Sequence, residues 1–118
     1  MLVDFSKVDH TYLVCGFTDL RKGIDSSASL VHSHYQLDLY DNAVFLFCGR
    51  RTDRFKALHF DGEGFWLLYK RYDGGKLKWP RSREEVTELS PKQLDWLFNG
   101  FSIDQQPRIQ SSNPRTLM

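Results

Sequence analysis

The feature that most constrains the fold lies in the middle of the chain. Three apolar runs of strand length, 43–48 (AVFLFC), 54–60 (RFKALHF) and 64–72 (GFWLLYKRY), follow one another across short turns. They are rich in aromatic and branched residues, and connections this short join antiparallel neighbours. Asp61-Gly62-Glu63-Gly64 is a hairpin signal. A two-residue loop at Gly62-Glu63 sets Phe60 opposite Phe65, Leu58 opposite Leu67, Lys56 opposite Tyr69 and Arg54 opposite Arg71. Asp73-Gly74-Gly75-Lys76 reads as a second turn into a fourth strand, Leu77-Lys78-Trp79, which Pro80 ends. That turn sets Tyr72 opposite Leu77, Arg71 opposite Lys78 and Lys70 opposite Trp79.

The flanks supply helices. Residues 12–15 (YLVC) read as a short strand ending at Gly16, after which Thr18 suits an N-cap and Asp19 a first turn. Leu20, Ile24, Ala28 and Val31 then recur at helical spacing, so the pattern predicts a helix over 19–33. Ser90-Pro91-Lys92-Gln93 predicts a second helix start, with a Ser cap, Pro at the first position and Gln three residues after the cap. Leu94, Leu97, Phe98 and Phe101 share one face, and Gly100 suits the end. The fold class is therefore α+β, a mainly antiparallel β-meander with two principal packed helices. Residues 1–103 read as one globular domain, and the polar stretch 104–118, with Pro107 and Pro114, as a flexible tail.

Charge is distributed unevenly. Residues 49–83 hold ten basic and four acidic side chains, a net of +6, whereas 1–48 carry −3 and 84–118 carry −2. Alternation along the strands puts Arg54, Lys56, Tyr69, Arg71 and Lys78 on one sheet face. Ala57, Trp66, Leu68, Tyr72, Leu77 and Trp79 fall mostly on the other, the better core face. Like charges opposite one another destabilise a sheet, so the cationic cluster is easiest to understand with an anion on it. Phosphate-binding Arg and Lys around an aromatic are the components of a nucleic-acid surface. The 49–54 loop, with Arg50 and Arg51, and the segment Pro80-Arg81-Ser82-Arg83 extend the patch from either side. A solvated face studded with cations against edge pairing is the competing reading, and charge alone leaves both open.

Other classes find little support. No run approaches the roughly 20 apolar residues of a membrane span. The start MLVDFSKVDH lacks the pattern of a signal peptide, so the expected compartment is the cytoplasm. Cys15 and Cys48 sit in apolar strand sequences and read as buried free thiols. With His10, His32, His34 and His59 they form no metal-ligand spacing beyond His32-Ser33-His34. Asp53, Asp61 and Glu63 stand in turns, where Asp and Gly are expected structurally. No catalytic residue, metal or cofactor is assigned, and no small-molecule substrate.

Long stretches resemble a known family. Cys48-Gly49-Arg50-Arg51-Thr52-Asp53-Arg54-Phe55-Lys56-Ala57-Leu58, then Asp61 through Arg71, then Lys78-Trp79-Pro80, resemble the accessory protein (TnpB, the second-frame product) of IS-sixty-six-type bacterial insertion sequences. Thr18 through Asp25 and Leu89 through Leu94 match the same pattern, so the resemblance spans about residues 12–103. Tyr72 stands where Leu is expected, and Ser27 where an apolar residue is common. The resemblance implies a role beside a separate transposase that carries the strand-transfer chemistry.

The expected function is non-catalytic help in transposition by nucleic-acid binding, with DNA and the transposase as partners. The proposed contacts are Arg50, Arg51, Arg54, Lys56, Tyr69, Lys70, Arg71, Lys78 and Arg81. Lys70 is the exception among them, because it faces away from the others towards a cation–π contact with Trp79. The alternative is a protein–protein assembly factor without DNA contact. Its candidate anchor is Trp96, which points away from the Leu94/Leu97/Phe98 stripe.

Overall fold

The computed structural model describes residues 5–81 and 85–104. The expected flexible tail beyond 104, Ser82 and Arg83 lie outside the described residues.

Five strands form one mixed sheet: β1 (His10–Val14), β2 (Ala43–Phe47), β3 (Arg54–Phe60), β4 (Phe65–Arg71) and β5 (Val86–Leu89). Their spatial order is β4-β3-β2-β1-β5. Every adjacent pair is antiparallel except β1 and β2, which run parallel. A parallel pair needs a crossover, and the crossover here carries α1 (Ile24–Ser29), continued by a π-helical turn over Leu30–His34. The second helix, α2 (Pro91–Phe98), follows β5.

The central strand explains the layering. All five residues of β2 are buried, as a continuous apolar run requires when both sheet faces are covered. On one face Leu13, Val44, Leu46, Phe55 and Ala57 pack with Leu94 and Leu97 of α2, together with Leu77, Trp79 and Ile103. On the other, Val14, Phe45, Phe47 and Leu58 pack with Val31, Ala28 and Leu30. The sheet thus has a core on both faces. Ala57, Leu77 and Trp79 are buried on the α2 side as expected, but Trp66 is 42% exposed.

The β3–β4 register is the expected one throughout, from Arg54 opposite Arg71 to Phe60 opposite Phe65. The α2 start is also as expected: the Ser90 hydroxyl accepts from Gln93 N–H, and the Gln93 side chain accepts from Ser90 N–H. Both cysteines are buried and free.

Four expectations are corrected. First, the helix expected over 19–33 begins only at Ile24, with Gly23 at its N-cap, so neither Thr18 nor Asp19 caps it. Thr18 N–H donates instead to the carbonyl of Cys48, and the Asp19 carboxylate folds back onto Arg21. Second, Leu77-Lys78-Trp79 is not a strand. Leu77 N–H donates to the Thr52 carbonyl, and the Trp79 indole N–H to the Val14 carbonyl, so the chain crosses the end of the sheet. Burying Leu77 and Trp79 in the α2-side core outweighs pairing along the β4 edge. Third, Phe101 leaves the apolar face of α2 and is 54% exposed; Ile103, 2% exposed, fills the core there. Fourth, a strand was missed altogether: β5, which pairs with β1 at the far edge.

Candidate nucleic-acid interface

The alternation of β3 sends Arg54 and Lys56 to the face that α1 covers only in part. Lys56 lies opposite Tyr69, with its ammonium 5.9 Å from the Tyr69 ring centre. These residues form the floor of an open groove of about 930 Å³. Its walls come from the 49–51 turn after β2 and the 17–21 segment after β1, supplying Gly49, Arg50 and Arg51 on one side and Phe17, Thr18, Asp19, Leu20 and Arg21 on the other. The two walls meet closely. A side chain at Gly49 would come within 3.2 Å of the Thr18 carbonyl and 3.3 Å of Leu20, so glycine lets the segments touch.

The cations of the groove differ in how far the chain itself satisfies them. Arg54 forms a two-point contact with Asp53 at 2.9 and 3.3 Å, and Arg51 reaches the same carboxylate at 3.2 Å. The hydrogen bond from Arg54 is the main reason that the Asp53 carboxyl is held down at about 2. Arg21 is similarly bound by Asp19, whose carboxyl is also lowered to about 2 by that side-chain hydrogen bond. Arg50 and Lys56 have no ion-pair partner among the described residues.

The structure brings together Arg50, Arg51, Arg54, Lys56 and Tyr69 of the expected contacts. The other four stand outside the groove lining. Arg71 lies opposite Arg54 and is exposed on the edge strand. Lys70 faces away, as expected, but its ammonium lies 4.9 Å from the ring centre of Tyr72 rather than over Trp79. Lys78, placed on the cationic face by the fourth-strand reading, loses that placement with the strand, although it is exposed.

Arg81 serves the architecture. Its guanidinium donates to the carbonyls of Gly16 and Gly49 and contacts the Cys48 sulfur, tying the two groove walls together. Burial nonetheless pushes the Cys48 thiol above its usual range, against the influence of Arg81. The same guanidinium lies 4.2 Å from the ring centre of Phe17.

Arg21 is one of the groove residues that sequence reasoning missed, and Phe17 is another. It is 62% exposed, and Arg50 lies 5.6 Å from its ring centre. Its one signal was negative, an apolar residue just outside both the strand and the helical periodicity. Trp96, the expected interface anchor, is partly buried on α2, with the Lys92 ammonium 5.6 Å from its ring centre.

A small mixed-sheet α+β domain with a cation-lined open groove is the class of protein that fold and site define. The chain belongs to the IS66 Orf2 like protein family, whose pattern matches residues 9–108, and so to the accessory proteins of insertion sequences. It is 35% identical over 90 residues to the uncharacterized protein y4hO of Sinorhizobium fredii (strain NBRC 101917 / NGR234), covering 76% of this chain and 78% of that one. It is 30% identical over 96 residues to the uncharacterized protein y4jC of the same organism, covering 81% and 82%. No solved structure matches it. Among the described residues no helix is long and apolar enough to cross a membrane.

Proposed function

We propose that the chain binds the nucleic acid of its insertion element through this groove, and that the strand-transfer chemistry belongs to a separate transposase. The observation that carries the reading is the convergence of Arg50, Arg51, Arg54 and Lys56 on one concavity with Tyr69 in its lining. Asp53 offsets part of this charge, and a phosphate backbone is the polyanion that offsets the rest. The carboxylates of the region are already engaged. Asp53 holds Arg51 and Arg54, and Asp19 holds Arg21.

The test is binding across a salt series, to DNA carrying the element's ends and to unrelated DNA. With Asp53 offsetting one of the four groove cations, log affinity for duplex should fall against log salt with a slope of about −2 to −3. The double variant Arg50→Glu/Lys56→Glu should bind about tenfold or more weakly at low salt, with a slope shallower by about 2. A preference for the ends would make the protein a site-recognition factor. No binding at low salt, to duplex or to single strand, sinks the proposal.

A second reading, assembly with the transposase, draws support from the other end of the β3–β4 hairpin. There Tyr40 is 67% exposed and Trp66 is 42% exposed, with the Tyr40 ring 4.9 Å from Phe60. Those aromatics are better anchors than Trp96, and failure of the DNA experiment would shift the weight to them.

A further inference from the structure

We propose that the groove takes single-stranded nucleic acid, stacking an unpaired base on Phe17; this rests on the nucleic-acid reading above and specifies its ligand. Exposed apolar side chains scattered singly are common and need no function. Phe17 differs in how it is held. The backbone is fixed on either side of it, by Gly16 N–H on the Pro80 carbonyl at 2.8 Å and Thr18 N–H on the Cys48 carbonyl at 2.9 Å. The flanking residues Gly16 and Thr18 are buried while the ring between them is 62% exposed. A ring presented this way loses little conformational freedom when a ligand stacks on it.

Its surroundings favour a base with a phosphate attached. The Arg81 guanidinium that lies against the ring is itself anchored on the Gly16 and Gly49 carbonyls, so it is a fixed support and not a competing ligand. Arg50, near the same ring, is unpaired among the described residues and free to meet the backbone of a strand. Tyr69, 51% exposed, lines the same groove and offers a second aromatic surface. A cationic groove that follows the backbone, with aromatic faces for the bases, is how single strands are held. A duplex keeps its base faces inside the stack and offers this groove only phosphates. Unstacking it would add a cost that an unpaired strand does not carry.

The experiment compares fluorescence anisotropy of the full chain with a short oligothymidylate, an oligouridylate of equal length and a duplex, at matched salt. Single strands should bind more tightly than duplex. Phe17→Leu, which keeps apolar bulk without a π face, should weaken single-strand binding about tenfold or more and leave duplex binding nearly unchanged. Phe17→Trp should retain it, and an unchanged melting transition for both variants shows that the fold survives. Loss on Phe17→Leu with either strand supports the inference, and the tighter of the two distinguishes DNA from RNA as the source. Duplex binding equal to single-strand binding, or indifference of single strands to Phe17→Leu, overturns the inference and leaves the phosphate-binding groove standing. No binding to any of the three overturns both.

Discussion

The two ends of the β3–β4 hairpin are built from the same alternating strands and differ in how they are finished. At the closed end the turn is tied together by Asp61. Asp61 N–H donates to the Gly64 carbonyl, while the Asp61 carboxylate accepts from two backbone N–H groups and the Trp66 indole. Those donors hold the Asp61 carboxyl below its ordinary range. At the open end Arg54 stands opposite Arg71, and Lys56 beside them has no ion-pair partner among the described residues, meeting the Lys22 carbonyl at 3.4 Å and the Tyr69 ring. One end satisfies its turn aspartate from its own backbone and Trp66; the other leaves positive charge over. The difference shows where stability and where binding are to be sought.

The largest effect on stability should come from breaking the closed end. Gly62 has φ +99°, the first central position of a two-residue loop, which a residue with a Cβ adopts at a cost. Gly62→Ala should therefore lower stability by about 1–2 kcal/mol in denaturant unfolding, with groove binding unaltered. A neutral outcome would mean that the turn relaxes to another type and that the register depends on the strands alone.

That dependence bears on what was legible in the sequence. Phe60–Phe65 through Arg54–Arg71 could be paired from the residues because a two-residue turn and a period of two leave one register. From that register followed the grouping of Arg54, Lys56 and Tyr69. The parallel pairing of β1 with β2 had no such local signal: the strands are separated by 28 residues, positions 15–42, and either sequence would suit either neighbour. β5 is four residues long, and its partners in β1 lie more than 70 positions away. Lys78 was placed on the wrong basis because Trp79, which found a buried carbonyl at Val14, decided the path of its segment. Phe17 was illegible for a related reason. What fixes it is the meeting of three chain segments at Gly16, Cys48 and Pro80, and no window of sequence contains them all.

A smaller effect should sharpen the contrast at the open end. If Arg54 and Arg71 repel across the pair, Arg71→Glu replaces a like-charge contact with an attractive one. Stability should then rise, by about 0.2–0.5 kcal/mol, since position 71 is exposed on the strand edge and Arg54 is already engaged by Asp53. The gain should shrink as salt is added. Because Arg71 does not line the groove, nucleic-acid affinity should change far less than on reversing Arg50. A destabilised Arg71→Glu would mean that the cationic end carries no repulsion to relieve, and the charge argument for an anion there would weaken with it.

The smallest effect concerns Asp53, the acid that partly neutralises the open end. Its folded carboxyl titrates at about 2, against 3.8 ordinarily, chiefly through the hydrogen bond from Arg54. As pH falls below 3.8 the unfolded chain takes up this proton first, while the folded chain holds the carboxylate ionised until about 2. Its contribution is therefore fully present above that ordinary value and is lost as acid carries the pH down towards 2. Asp19, also held at about 2, and Asp61, held below its ordinary range, contribute with the same sign, so the wild-type acid limb includes all three. Asp53→Asn should make that limb shallower without abolishing it, as read from urea midpoints between pH 4 and pH 2. At neutral pH the same variant frees Arg51 and Arg54 for an outside anion. Nucleic-acid affinity should rise, and the salt slope should steepen by about 1. An acid limb unchanged by Asp53→Asn would mean that Arg54 is not held in solution, while weaker binding would make the Asp53–Arg54 pair a positioning device rather than a competitor for phosphate.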